Sequence, residues 1–341
     1  MASISLCMIV RNEEKHIEEC LQSAIEYVDE IIVVDTGSED GTKDICSKYE
    51  VKIFDFQWEQ NFASARNFCI EQASGDWILW MDADERLVVN DHEALLQCLS
   101  KKEKQEENFI SVGMKHFYGE IPADEKRVHV SHVYRLFRNG KGIHFVGRIH
   151  ERPVSDDRKE EQKAEENKFI EILHYGYMDE AVSLKSGRNK KMLLREWEDN
   201  QEDGWICYHL AVEYYHEQNY TTAYDFTNLA ILLFIKKGLL PPSLFYKLKY
   251  DILITLEDYT TVAESIEKAI MLYPDYVDLH FYKGMAEFSI GEFHTARETF
   301  LYCIVLGESN PEYLILRGMG SFMAEDYIEK CNNILEGEGP E

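Results

Sequence analysis

Two aspartates that follow an unbroken apolar run are the strongest candidates for chemistry in this sequence. The run from Trp77 to Met81, WILWM, has no polar side chain, so it is typical of a strand buried on both faces. Asp82 and Asp84 come directly after it, and in an extended chain both side chains project to the same side. Paired carboxylates repel each other unless a cation lies between them, and their oxygens suit Mg²⁺ or Mn²⁺. A strand end followed by an acidic helix cap is the alternative interpretation.

The elements that would position these aspartates alternate between short apolar runs and helical patterns. This alternation indicates a parallel sheet with crossover helices. Strands are predicted at residues 4–10, 30–35, 51–56 and 77–81. Ligands bind such sheets beyond the carboxyl ends of the strands. Four acidic residues are predicted there: Asp35, Asp55, Asp82 and Asp84. The sequence therefore predicts a ligand site at this edge.

The segment after residue 105 has a different pattern. Strands are predicted in NFISVGMKHF, HVYRLFR and KFIEILHYGY, with glycine-rich loops among them. Residues 155–168 have almost no apolar side chain, which predicts a solvated loop.

Composition and charge exclude several classes of partner. The chain has 341 residues, enough for two domains, and its 45% apolar content is that of a globular protein. A formal net charge of −27 disfavours nucleic acid and anionic membrane, which both need a basic face. We predict no membrane span and no signal peptide. The eight cysteines lack CxxC or metal-site spacing, which favours reduced, mostly buried thiols in a cytoplasmic protein.

From about residue 205 onward the pattern is helical and repeats. Tyr259 and Phe293 are 34 residues apart. Val262 follows Tyr259 by three positions, and Ala296 follows Phe293 by the same distance. An earlier copy of the pattern begins at Tyr220. This resembles tetratricopeptide repeats, in which small residues let paired helices approach closely. Such stacks often bind peptides. A scaffold that only covers the first domain is the alternative.

Several motifs recur in one order along the first half of the chain: SLCMIVRNEE, EIIVVDTGSEDGT, FASARN, DWILWMDADE, RLFRNGKGIHFVGRIHERP and ILHYGY. Together they resemble family 2 glycosyltransferases of the GT-A type. With helical repeats after them, the chain is similar to the sublancin-type peptide S-glycosyltransferases. The resemblance implies an α/β, Rossmann-like GT-A nucleotide-sugar domain followed by an all-α tetratricopeptide-like domain. The expected divisions are a GT-A domain (1–182), a helical linker (183–204), repeats (205–335) and a disordered tail (336–341).

The resemblance also implies an activity. It is that of an inverting, metal-dependent glycosyltransferase that moves a hexose or N-acetylhexosamine from a UDP-sugar to a Cys or Ser/Thr side chain. The implied acceptor is a peptide or protein held by the repeats, with a glycocin-like bacteriocin precursor favoured. Another protein or a glycan stays open as the acceptor, since related catalytic domains with similar repeats modify other proteins. The implied cofactor is Mg²⁺ or Mn²⁺, and a homodimer stays open.

Roles for donor-binding and metal-binding residues follow from the same resemblance. Asp82 would contact the donor ribose and Asp84 the metal, and His174 of LHYGY would be a further metal ligand. Asp35 would accept a hydrogen bond from the uracil or ribose, and Arg66 would donate to the uracil. The alternatives are a surface helix arginine at Arg66 and a core histidine at His174.

The last two assignments concern the reaction itself. Glu151 in GRIHERP matches the position of the general base, and Gly147 before it would allow close approach of the substrate. Arg188 would help to screen the leaving diphosphate, although a solvated helix face explains this arginine equally well.

Two other protein classes compete with a glycosyltransferase. A nucleotidyltransferase also holds magnesium with paired acids beyond a parallel sheet, but such enzymes usually carry an early basic loop, and IVRNEEKHIEE is acidic. A non-catalytic repeat adaptor would not need its catalytic positions. The intact set argues against it: Asp35, Arg66, Asp82, Asp84 and Glu151.

Overall fold

The chain forms two compact units in a computed structural model that describes residues 2–155 and 168–337. One unit comprises Met1–Ala123 and Ser131–Met178, and the other comprises Asp124–Val130 and Asp179–Glu341. The first is α/β and the second is mostly helical, so the predicted fold class is confirmed. Most of the predicted solvated loop, and residues 338–341 of the predicted tail, lie outside the described residues.

The first unit contains ten strands and four helices within the described ranges. In chain order they are β1 (Ile4–Val10), α1 (Ile17–Ala24), β2 (Glu30–Asp35), α2 (Thr42–Cys46), β3 (Lys52–Asp55), α3 (Phe62–Glu71), β4 (Trp77–Met81), β5 (Glu85–Val89), α4 (His92–Lys104), β6 (Phe109–Gly119), β7 (Val128–Arg138), β8 (Ile143–Val146), β9 (Arg152–Ser155) and β10 (Ile170–Met178). The first three residues of β7 belong to the second unit.

One mixed sheet organises this unit, with the strand order β3-β2-β1-β4-β7-β6-β10-β5. Within the group β1 to β4, every pair of neighbouring strands is parallel, as predicted. The expectation of a parallel sheet does not extend further, because β7 runs antiparallel to β4 and β5 runs antiparallel to β10. Strand β7 follows β6 along the chain and lies next to it in the sheet, and the link between them contains no helix, whereas a parallel neighbour would need a crossover connection. Strands β8 and β9 form a separate hairpin.

Strand β4 is buried on both faces, as its sequence predicts. Trp77, Leu79 and Met81 pack into one core, which also holds the buried face of α1. Ile78 and Trp80 point to the opposite core, which contains buried residues of α3. The period of two along the strand divides its side chains between the two layers.

The second unit is built from a stack of helices. In chain order they are α5 (Asp179–Asp199), α6 (Gly204–His216), α7 (Tyr220–Lys236), α8 (Ser243–Thr255), α9 (Tyr259–Leu272), α10 (Val277–Ser289), α11 (Phe293–Leu306) and α12 (Phe322–Leu335), with the short strand β11 (Ile315–Leu316) before the last helix. Tyr220, Tyr259 and Phe293, which mark the sequence repeat, are the first residues of α7, α9 and α11. Gly284 lies so close to α11 that a Cβ atom there would be 2.8 Å from the Phe300 ring.

One face of α8 and α10 is covered by segments of this same unit. Strand β11 pairs with Val130 and His129. On α10, Asp278 accepts a hydrogen bond from the backbone of Leu316 at 3.1 Å and forms an ion pair with Lys247 at 2.5 Å. Asp278 is fully buried and Lys247 is 4% exposed. A ligand of this unit therefore cannot reach the ion pair unless it displaces the covering segments.

Membrane and disulfide predictions agree with the structure. Among the described helices, none is long and apolar enough to cross a membrane. All eight cysteines are free thiols and seven of them are buried.

Candidate active site

The acidic turn after β4 is held by a third carboxylate. Strand β4 ends at Met81 and β5 begins at Glu85, so Asp82 and Asp84 are placed by a turn and not by continued strand alternation. The Glu85 side chain is fully buried and accepts a hydrogen bond from the Asp82 backbone at 2.8 Å. Burial raises the pKa of Glu85 to about 8, although the Arg135 guanidinium opposes the shift.

Two buried arginines stack on the indole of Trp80, next to this turn. The Arg66 guanidinium carbon lies 4.4 Å from the ring centroid and that of Arg135 lies 3.6 Å from it. Arg66 donates to Asp82 at 2.8 Å, and Arg135 donates to Glu85 at 2.6 Å. Arg66 is only 5% exposed, so the alternative of a surface helix arginine is wrong.

These arginines decide the charge state of Asp82. Burial by itself disfavours the ionised carboxylate, but Arg66 and Arg135 together hold the pKa of Asp82 well below its usual range. Burial likewise disfavours the charged guanidinium of Arg66, and Asp82 and Glu151 outweigh it and raise its pKa. Asp82 is therefore a fixed anion whose orientation is set by two cations.

Glu151, the predicted base, lies at the other end of the Arg66 side chain. Its Oε1 is 2.5 Å from Arg66 Nε, and the carboxylate side chain is 9% exposed. Its ion-pair partner, Arg66, is thus 85 positions away in the sequence. Glu151, Arg66 and Asp82 thus form one continuous chain of ion pairs.

The motif FASARN holds the Glu151 loop in place. Asn61 caps α3 by accepting from the Ser64 backbone at 3.1 Å. Asn67 forms two hydrogen bonds with the backbone of Phe145 in β8, at 2.7 and 3.0 Å. Gly147 has a φ of +99°, a conformation that favours glycine, so the chain can turn between β8 and Glu151.

Asp35 lies at the carboxyl end of β2, on the same edge of the sheet. One carboxylate oxygen accepts from the backbone of Gly37 and Ser38, both at 2.8 Å. Within the described residues, the other oxygen is buried and has no hydrogen-bond partner. Asp55 lies beside Asp35 in the strand register, but it is exposed and pairs with Lys43. Asp35 therefore has one buried acceptor oxygen that a ligand could use, and its nucleoside contact stays a prediction.

The two predicted metal ligands face each other across a glycine. His174 Nε2 lies 3.7 Å from Asp84 Oδ1. A Cβ atom on Gly176 would lie 2.4 Å from His174 Nε2 and 2.6 Å from Asp84 Oδ2, so any larger residue would fill the space between them. An imidazole and a carboxylate around such a space fit a divalent cation whose other ligands come from water and phosphate. No cluster of three His, Cys, Asp or Glu side chains suited to a metal occurs in the described ranges.

Some site residues were not found from the sequence, and one predicted residue lies elsewhere. Arg188 is on α5 of the second unit, where its side chain is exposed, and its role stays a prediction. The sequence signal for Glu85 is its place as the third acid of the DADE motif. An arginine inside an apolar strand was the only signal for Arg135. Nothing in the sequence pairs His116 with His174, although their Nδ1 atoms are 2.9 Å apart.

Comparison with known proteins identifies related sequences. Residues 5–157 match the sequence model of Glycosyl transferase family 2. The chain is 33% identical over 261 residues to a TPR repeat-containing protein of Synechococcus elongatus, which covers 74% of this chain and 61% of that protein. It is 31% identical over 201 residues to the SPbeta prophage-derived glycosyltransferase SunS of Bacillus subtilis, which covers 57% of this chain and 44% of SunS. The chain thus spans less than two thirds of the length of either relative.

A solved structure is also similar over a shorter region. It is glucosyl-3-phosphoglycerate synthase from Mycobacterium tuberculosis in complex with Mn²⁺, UDP and phosphoglyceric acid. The two sequences are 25% identical, the match covers 34% of this chain and 43% of that chain, and the TM-score is 0.26. The family match includes the strands and loops that carry five of the predicted site residues, namely Asp35, Arg66, Asp82, Asp84 and Glu151. The segment from residue 5 to residue 157 is therefore a domain of Glycosyl transferase family 2.

Proposed function

We propose that this protein is an inverting glycosyltransferase that moves a hexose or N-acetylhexosamine from a UDP-sugar to a side chain of a peptide or protein. One observation carries the proposal: the facing pair Asp84 and His174 and the ion-pair chain of Asp82, Arg66 and Glu151 converge from neighbouring elements of one unit. An adaptor would have no need of buried, mutually oriented charges at this edge of the sheet.

Asp84 and His174 would hold the divalent cation, Mg²⁺ or Mn²⁺. When bound, this cation would offset the negative charge that develops on the leaving diphosphate. Gly176 keeps the space between the two ligands open, and the fixed anion Asp82 is left to contact the donor ribose. The net charge of −27 makes such local compensation necessary for a diphosphate substrate.

The nucleoside would bind between Asp35 and Arg66. Asp35 keeps one buried oxygen as an acceptor, and among the described residues no acceptor pairs with Nη1 of Arg66. One acceptor and one donor suit the edge of a uracil or a ribose hydroxyl. Because Nε and Nη2 of Arg66 are already engaged by Glu151 and Asp82, donor binding and base orientation would share one side chain.

Glu151 would take the proton of the acceptor as the sugar is transferred. Inversion needs the base on the face of the sugar opposite the leaving group. Arg66 holds the Glu151 carboxylate in one orientation, and the loop after Gly147 is tied to α3 by the hydrogen bond from Phe62 N to Arg148 O at 2.8 Å. A thiol acceptor needs less help from this base than a hydroxyl, because part of a thiol is already ionised near neutral pH.

The acceptor we favour is a Cys or Ser/Thr side chain of a glycocin-like bacteriocin precursor, bound by the helical repeats. The similarity to SunS and the repeat architecture support this choice. The ion pair of Lys247 and Asp278 is covered by the unit's own segments, so the repeats would recruit the peptide on another face.

The test of the proposed function combines donor binding with transfer. UDP-glucose and UDP-N-acetylglucosamine are titrated into the full chain with Mn²⁺ and with chelator, for the wild type and for D84A. Peptides encoded near the gene are coexpressed and weighed by mass spectrometry. We expect metal-dependent donor binding that D84A abolishes, and a peptide heavier by one or more sugars. Identical isotherms with metal and with chelator would contradict the metal site, and absence of any donor binding would indicate an adaptor.

A further inference from the structure

We propose that His116 and Ser131 form a hydrogen-bonded relay that orients His174 as a metal ligand. This inference rests on the metal site proposed above and deepens it by assigning two positioning residues. Neither residue carries a signal in the sequence, because the relay joins three strands that are distant along the chain.

The relay crosses three adjacent strands of the sheet. His116 on β6 is the register partner of His174 on β10, and Ser131 lies on β7, on the other side of β6. The two Nδ1 atoms are 2.9 Å apart, and His116 Nε2 lies 2.8 Å from Ser131 Oγ. All three residues are half-buried, so these contacts are partly shielded from competing water.

The direction of the hydrogen bonds decides whether His174 can bind a cation. Only one of the two facing Nδ1 atoms can carry the hydrogen between them. If His174 donates it, the Nε2 of His174 presents a lone pair towards Asp84, which is the form that binds a metal. His116 then accepts at Nδ1, and its Nε2–H donates to Ser131. The opposite arrangement places an N–H of His174 towards Asp84, where it would block a cation.

Ring packing restricts the orientation of the His174 ring. The rings of His116 and His174 meet edge to face, with centroids 5.2 Å apart and planes at 84°. Tyr177 packs on both rings, with its centroid 4.9 Å from that of His174 and 5.7 Å from that of His116. A rotated His174 ring would lose the 2.9 Å contact with His116. The ring packing thus fixes the orientation of the His174 ring, and a cation at Nε2 would make Nδ1 the donor to His116.

The first test measures metal affinity in the full-length protein. Mn²⁺ binding in the presence of UDP is followed by the electron paramagnetic resonance of free Mn²⁺. We expect H116L to weaken Mn²⁺ binding about 10-fold to 100-fold, as loss of a partner behind a metal-bound histidine typically does. S131A should cause a smaller loss. H116N should recover most of the affinity, because its amide oxygen can replace Nδ1 as the acceptor.

A matched control is H144L, because His144 lies on β8 and its Nδ1 faces the carbonyl of Gly142 instead of the relay. It should bind Mn²⁺ like the wild type. A purely structural role for His116 would lower the melting temperature of H116L and leave the Mn²⁺ affinity of the folded protein unchanged, which overturns the relay. Wild-type affinity in H174Q would overturn both the relay and the metal site, whereas weak binding by H174Q with normal binding by H116L overturns the relay alone.

The second test needs no variant at position 116. Long-range ¹H–¹⁵N spectra of the histidine rings, recorded on the wild type with Mg²⁺ and UDP, report which nitrogen carries each hydrogen. H174Q and H116N assign the two ring signals. We expect the hydrogen of His174 on Nδ1 and that of His116 on Nε2. A hydrogen on Nε2 of His174 in this state would overturn the relay, whatever the transferase activity of the protein.

Discussion

Replacement of Glu151 by glutamine separates the role of this residue in chemistry from its role in structure. Glutamine keeps the shape of glutamate and can still accept the hydrogen bond from Arg66 Nε, which is 2.5 Å from Glu151 in the wild type. It cannot take a proton at neutral pH. General-base catalysis typically contributes ~10²–10⁴-fold to a rate, which corresponds to roughly 3–5 kcal/mol of barrier. We expect turnover by E151Q to fall within this range.

The same change has a structural cost that the geometry bounds. The bond between Arg66 and Glu151 becomes one with a neutral acceptor, and Arg66 keeps its ion pair with Asp82 at 2.8 Å. A charged hydrogen bond contributes about 1 kcal/mol more than a neutral one. The free energy of unfolding should therefore fall by about 1–2 kcal/mol, too little to unfold the domain. UDP-sugar affinity should change little, because the nucleoside contacts are assigned to Asp35 and to Nη1 of Arg66.

The assay is single-turnover sugar transfer, measured beside donor affinity and denaturant unfolding. E171Q is the matched control, because Glu171 pairs with Lys115 at 3.0 Å on neighbouring strands of the same unit and has no assigned role. The rate loss in E151Q should be larger for a serine acceptor than for cysteine, whose thiolate fraction rises with pH. A folded E151Q with wild-type rates on both acceptors would refute the reasoning.

Three further predictions concern acid stability, the repeat unit and the metal site. Burial alone would raise the pKa of Glu30, but hydrogen bonds from Lys52, Ser5 and Ser74 lower it from 4.5 to about 2. The stability that Glu30 contributes is therefore present above pH 4.5 and is lost as the pH falls towards 2. Acid titration of unfolding should thus show a shallower loss in E30Q, and an unchanged profile would contradict the assignment. D278A leaves Lys247 buried without its closest partner, and it should lower the free energy of unfolding in urea by about 3–5 kcal/mol. The control D326A removes one partner of a surface ion pair and should lower it by no more than about 1 kcal/mol. Equal losses in the two variants would contradict a special role for the buried pair. G176A places a methyl group between His174 and Asp84, so it should abolish Mn²⁺ binding without changing the circular dichroism spectrum. The control G187A adds a methyl group in open space and should bind Mn²⁺ normally. Normal Mn²⁺ binding by G176A would exclude the proposed ligand pair.

Local patterns were sufficient for the strands and for the repeats. WILWM is buried along its whole length because a strand with no polar side chain cannot present a solvated face. Tyr220, Tyr259 and Phe293 begin equivalent helices because a recurring unit buries the same positions against its neighbours. The pairing of Asp84 with His174, implied by the resemblance, is also seen as a contact in the structure. These features depend on residues close in sequence or on a motif read as a whole.

The sequence by itself determined the class of the two units and the identity of the residues at the carboxyl edge of the first sheet. Tertiary structure alone decided that the sheet is mixed, because it places β7 beside β4 and β5 beside β10, and both pairs run antiparallel. It alone brought Arg66 and Arg135 onto Trp80, and His116 beside His174. These contacts join residues that are 14 to 58 positions apart in the sequence. They arise from strand register and burial, and a local sequence pattern specifies neither.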